Sequence, residues 1–179
     1  MKKIENYETV QASSGEFARP GAGGYVCLIT NVEDVPMGAD GKGDYLKIQF
    51  DIAHGEFAGY YSDLHSKKGF WLGSFVRSYK ESALGMFKHF TNCVEETNAG
   101  YKWNFEEQSL CGKFIGLVFG EEEYLDREGK VRTRTYVKEV KTTEQIKNGD
   151  FKIPELKKLP VDNTIPNGFS QTSNDDLPF

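Results

Sequence analysis

Three stretches of the chain set cations beside aromatic rings. Tyr45 and Lys47 alternate with apolar residues between Asp44 and Ile52, followed by Gln49. Tyr60 and Tyr61 precede His65-Ser66-Lys67-Lys68-Gly69-Phe70-Trp71. Arg127, Lys130, Arg132 and Arg134 lie between Tyr124 and Tyr136. The chemistry open to such sets is non-covalent: amines and guanidiniums neutralise phosphates while rings stack on bases, at roughly 1–3 kcal/mol per stacked base. Two positions apart on a strand, Arg132 and Arg134 share a face and can follow consecutive phosphates. Each group also has an ordinary use. Phe70 and Trp71 can close the end of a core, Lys67 and Lys68 can simply be solvated, and Arg132 and Arg134 can pair with Glu121 and Glu123 across a hairpin.

Covalent chemistry finds no comparable footing. Glu121, Glu122, Glu123 and Asp126 are the only acidic run resembling a metal-dependent site, but neighbouring carboxylates on a strand point to opposite faces. There is no nucleophile elbow, phosphate loop or His-Glu metal motif. The Gly-rich Asp40-Gly41-Lys42-Gly43 lacks the Lys-Ser/Thr and the helix of a nucleotide loop, so its glycines are read as turn residues. Cys27, Cys93 and Cys111 stand far apart in apolar stretches, and His54, His65 and His89 complete no ligand-spaced set with them. They are read as reduced core thiols, with neither metal nor cofactor expected and no enzymatic activity.

The residues carrying these groups fit one domain with tails. The chain has 179 residues and a net charge of −5. Residues 160–179 contribute Asp162, Asp175 and Asp176 and no cation; removing those three from 27 acidic residues leaves 24 against 22 basic ones. Any binding of a polyanion must therefore rest on a local patch. No apolar run approaches the roughly 20 residues of a membrane span, and the start lacks the apolar stretch of a secretory signal, so a cytoplasmic protein is expected.

Residues 1–20 read as an arm, 21–159 as the domain and 160–179 as a flexible tail. Within the domain, strands are expected at Gly24 to Thr30, at Asp44 to Ile52 with its strict period of two, and around Phe57 to Leu64, where Tyr60 and Tyr61 would face opposite ways. Ser74 is read as the N-cap of a helix through Phe75, Tyr79, Ala83, Phe87, Phe90 and Val94 to about Glu96. Leu110 to Glu122 and Val131 to Lys141 then form a hairpin around Asp126-Arg127-Glu128-Gly129, and Tyr101, Trp103 and Phe105 before it are read as packing. Three strands, a helix and two strands is the order of an OB-fold, a mainly β, five-stranded, partly open barrel with its helix between the third and fourth strands. Oligonucleotides lie on the second and third strands of such barrels, flanked by the first-to-second and fourth-to-fifth loops. A helical turn at Thr143 to Gly149 and a segment from Phe151 to Leu159 packing back on the barrel complete the domain.

The chain ends in Asp175-Asp176-Leu177-Pro178-Phe179. Phe179 offers an apolar anchor with its own carboxylate beside it, Pro178 lowers the ordering cost, and the two aspartates favour a basic rim. This tip resembles the acidic C-terminal tip of bacterial single-stranded DNA-binding proteins, although it carries Asn174 before only two aspartates where the family has three or more acids. The body resembles, more loosely, single-stranded DNA-binding-like proteins of phages and mobile elements, through Lys68-Gly69-Phe70-Trp71 and Gly149-Asp150-Phe151-Lys152-Ile153-Pro154-Glu155-Leu156-Lys157. The resemblance implies sequence-independent binding of single-stranded DNA in replication, recombination or repair. It also implies capture of replication, repair or recombination proteins by Asp175, Asp176, Leu177, Pro178 and Phe179, and assembly as a homo-oligomer. The alternative is an OB-fold adaptor that uses the same tip and binds no DNA.

Overall fold

A computed structural model describes residues 18–38 and 41–160. Most of the arm, and Asp175 to Phe179 with the rest of the tail, lie outside the described residues. Strands β1 (Gly23–Val35), β2 (Tyr45–Ile52), β3 (Ser74–Ser78), β4 (Phe114–Leu125) and β5 (Val131–Lys141) form one antiparallel sheet in the order β3-β2-β1-β4-β5. The sheet curls until its two edges nearly meet. Leu72 and Ser74 on one side face Thr135, Tyr136 and Val137 on the other across a cleft of about 30 Å³, so the barrel is nearly closed.

The alternation along β2 sets which of its residues face the barrel interior. Leu46, Ile48 and Phe50 point inward and are buried, as the period of two requires. The Phe50 ring centroid lies 5.2, 5.8 and 5.7 Å from those of Tyr61, Phe75 and Phe119. These separations suit edge-to-face and tilted ring packing. Around that centre pack Cys27, Ile29, Val32, Ile115, Leu117 and Val140, with Phe90 and Val94 from helix α2 (Leu84–Thr97) plugging the barrel. Cys27 and Cys93 belong to this core, Cys111 is half-buried, and all three are free thiols. Burial pushes the Cys93 thiol up to about 11.

Two elements differ from the sequence-based expectation. Where a third strand was expected around Phe57 to Leu64, the chain forms helix α1, Tyr60–Lys68, inserted between β2 and β3. Gly59 and Gly69, both left-handed with φ of 75° and 78°, bracket it. Its N-terminal donors are met from outside by Asp51, which is 7% exposed. Asp51 Oδ1 accepts from Tyr61 N–H (2.9 Å), and Oδ2 accepts from Ser62 N–H (3.0 Å) and from the Ser62 hydroxyl. This cap reaches across about ten positions of sequence, which local periodicity cannot register. The segment from Ser74 is not the start of a helix. It is β3, pairing Phe75 with Ile48 and Val76 with Lys47, and α2 begins only at Leu84. Phe75 and Tyr79 stand one helical turn apart in sequence, but burying Phe75 against Phe50 requires a strand.

Apart from the inserted α1, the expected order holds: α2 lies between β3 and β4, as in an OB-like barrel. After β5, helix α3 (Thr143–Lys147) opens with a capping box of Thr142 and Gln145 and buries Ile146 against Gly116. The chain then folds back. The Phe151 ring lies across Gly24, where a β-carbon would stand 2.4 Å from it, and Lys157 hydrogen-bonds the backbone of Glu121 and Glu123. Among the described residues, this segment lies against Gly24 of β1 and the end of β4, while on the outer side of β2 and β3 Val76 is exposed and Tyr45, Lys47 and Gln49 are half-buried. No helix among the described residues is long and apolar enough to cross a membrane.

Replacing Asp51 by Ala orphans donors at the start of α1, and we expect a loss of about 2–3 kcal/mol, seen as a lower urea midpoint at constant m. Asp51→Asn should restore part of it. A loss below about 0.5 kcal/mol would mean that packing alone holds α1.

Candidate nucleic-acid interface

The outward side of β2 carries Tyr45, Lys47 and Gln49, with Asn31, Glu33 and Val35 of β1 on one flank and Ser74, Val76 and Ser78 of β3 on the other. Val76 is 54% exposed. Lys47 Nζ stands 3.9 Å from Glu33, at the limit of an ion pair and in solvent, a contact of roughly 0–1 kcal/mol that a phosphate can displace. Tyr45 is half-buried between Val35 and Ser78. This patch has the composition that stacking and phosphate contact need, but a single amine.

The second group divides. Tyr60 and Tyr61 lie in α1, not on a strand, and both pack. Tyr61 is 7% exposed, edge-on to Phe50, and burial raises its hydroxyl pKa. Tyr60 is half-buried between Phe57 and Tyr61. Lys67 and Lys68 occupy the exposed last turn of α1, where cations favour the helix dipole whatever else they touch. Beyond the Gly69 cap, Phe70 is 53% exposed, whereas Trp71 turns in: its Nε1–H donates to Gly73 O at 2.8 Å and its ring leans on His65. Of the two rings, Phe70 is the exposed one and Trp71 is half-buried.

On the β4–β5 hairpin, Lys130 pairs with Glu128 (2.8 Å), Arg132 with Asp126 (3.0 Å) and Arg134 with Glu122 (2.8 Å). The carboxylates are thus not Glu121 and Glu123: those hold Arg19 and the Leu159 N–H. Cross-strand register explains the choice, since Arg134 stands directly opposite Glu122. Asp126 is held below the usual carboxylate range, first by the Lys130 backbone N–H and then by Arg132. Arg134 also covers the Tyr124 ring, and Lys157 covers that of Tyr136 at 4.1 Å. Arg127, at the turn, is exposed and has no ion pair among the described residues. Lys130, Arg132 and Arg134 are therefore each matched within the hairpin itself.

One ring set aside as packing is in fact exposed. Phe105 is 85% exposed and adopts φ of 64°, a left-handed backbone that costs a non-glycine residue of order 1 kcal/mol or more. Asn104 and Ser109 hold the turn through hydrogen bonds of 2.7–3.3 Å. Its neighbour Trp103 is half-buried, and its Nε1–H is buried without an acceptor among the described residues. The signal in the sequence was the polar run Asn104-Phe105-Glu106-Glu107, which cannot bury a ring on both sides. No three His, Cys, Asp or Glu side chains among the described residues gather as a metal site.

No protein-family model matches the chain, and no curated protein matches its sequence.

The Tyr79 hydroxyl donates to Asp34 Oδ1 at 2.8 Å, tying the end of β3 to the end of β1. Burial, then this bond and the charge of Asp34, push its pKa up to about 12 from an ordinary 10. The folded state thus favours the protonated phenol. Its contribution to stability is whole below pH 10 and is lost as pH rises towards 12. Stability measured by urea unfolding should therefore fall above pH 10, and Tyr79→Phe should flatten that fall by one proton's worth of slope. An identical slope in the variant would remove Tyr79 as a source.

Proposed function

We propose that this protein binds single-stranded DNA without base specificity, in replication or recombination, and recruits replication, repair or recombination proteins through Asp175 to Phe179. The observation that supports the first part is the outer face of β2 and β3, which among the described residues sets Tyr45, Lys47 and Gln49 beside the exposed Val76 of a nearly closed OB-like barrel. Phe70, Lys67 and Lys68 extend that surface from the end of α1. Stacking on Tyr45 and Phe70 supplies sequence-tolerant affinity, and Lys47 supplies phosphate contact. The docking part rests on the composition of the tip.

A specific observation favours the adaptor as second reading. Lys130, Arg132 and Arg134 are already matched by carboxylates, so exchanging these partners for phosphates gains little, and the whole chain carries −5.

Anisotropy of labelled oligo-dT, with a matched duplex as control, separates the two. Binding should prefer the single strand and weaken with salt; Tyr45→Ala should lose roughly fivefold to a hundredfold in affinity, and Lys47→Ala should reduce the log–log salt slope by about 0.7. No binding at low salt, with or without the tip, would leave the adaptor. Deleting Asp175 to Phe179 should raise DNA affinity, by removing an acidic competitor, and abolish capture of partner proteins. Undiminished capture by the truncated chain would end the docking hypothesis.

A further inference from the structure

Residues of β1 and β2, Tyr79 just after β3, the start of α2 and the connection from α2 to β4 line a half-open cavity of about 360 Å³. Its lining is Leu46, Leu84, four rings and the carboxylate residues Asp34 and Glu107. The rings form a row. Tyr79 and Phe87 are 6.0 Å apart by centroid, Phe87 and Trp103 6.0 Å, and Trp103 and Phe105 5.9 Å. Asp34 closes one end of the row through its bond from Tyr79, and Glu107 stands two residues beyond Phe105 at the other. No cation appears in this lining.

The arrangement is poorly explained as core. A ring packed for stability is buried, yet Phe105 holds a left-handed backbone while 85% exposed, so burial of its own ring does not offset the strain. Nor does it suit the path of a nucleic acid. A backbone passing over Phe105 would bring phosphates toward Glu107, two residues along the chain, with no cation in the lining to offset the repulsion. Aromatic faces with carboxylates at both ends suit the opposite charge, because ring faces carry negative potential and attract cations. The volume admits an apolar body of about ten heavy atoms rather than a lone ammonium.

We propose that this aromatic cavity is a binding site for an organic cation, a compact apolar group bearing one positive charge, seated on the Tyr79, Phe87, Trp103 and Phe105 rings with its charge toward Asp34 and Glu107. The site is independent of the DNA-binding reading, since it shares no residue with the β2 and β3 surface.

The test uses three probes on the full chain, followed by calorimetry: benzyltrimethylammonium, benzyl alcohol and benzenesulfonate, alike in ring and different in charge. The cation should bind at least about tenfold more tightly than the anion, with the alcohol between, a preference worth about 1.4 kcal/mol. Glu107→Gln should cut that preference to about threefold or less without disturbing the fold, and Phe105→Ala should lower the affinity for all probes about tenfold while leaving oligo-dT binding unchanged. Two results would overturn the proposal: no preference between cation and anion, or cation binding indifferent to both substitutions. A loss of oligo-dT affinity in Phe105→Ala without cation binding by the parent chain would also overturn it, and would move Phe105 to a base-stacking surface.

Discussion

The barrel depends on one aromatic contact set, that of Phe50. Its ring meets Tyr61 from α1, Phe75 from β3 and Phe119 from β4, so a single inward position of β2 joins three elements distant in sequence. Once Phe50 points in, the pleat sends Tyr45, Lys47 and Gln49 out, and a slip of one residue would reverse both faces. The core and the candidate binding face are therefore one decision of register.

Position 51, the next along β2, performs a different task. Its carboxylate lies buried against the first turn of α1 and takes three donors there, so the strand ends by holding a helix in place. That helix carries Lys67 and Lys68 to the surface and delivers Phe70 and Trp71 to the edge of the barrel. Asp51 and Phe50 together position the second group of candidate residues, although neither belongs to it.

Coverage and pairing then sort the cations. The segment from Phe151 to Lys157 lies on the β1 and β4 face, where Phe151 fills the space above Gly24, and the hairpin cations beside it are matched by Glu128, Asp126 and Glu122. Lys47 has only a long, solvated contact to Glu33. In a chain whose acids outnumber its bases, what counts for a polyanion is which amines remain exchangeable.

Much of this was legible in the residues. The strict alternation of β2, the hairpin around Asp126 to Gly129, the helix before β4, the return of Phe151 onto the barrel and the burial of Cys27 and Cys93, though not of the half-buried Cys111, follow from period, turn chemistry and apolar content, all short-range properties. Contacts between distant residues decided the rest. The Tyr60-Tyr61 segment reads as a strand until Asp51 caps it from β2, and Ser74 to Ser78 reads as a helix until β2 offers it a pairing edge. Arg132 and Arg134 have Glu121 and Glu123 as candidate partners in the sequence until the register sets Glu122 opposite Arg134 and the turn aims Asp126 at Arg132. By itself the sequence determined which residues prefer to be buried and at what period; the tertiary structure decided which partner each obtains. Hydrogen bonds and ion pairs between elements depend on geometry that exists only after the chain has closed on itself.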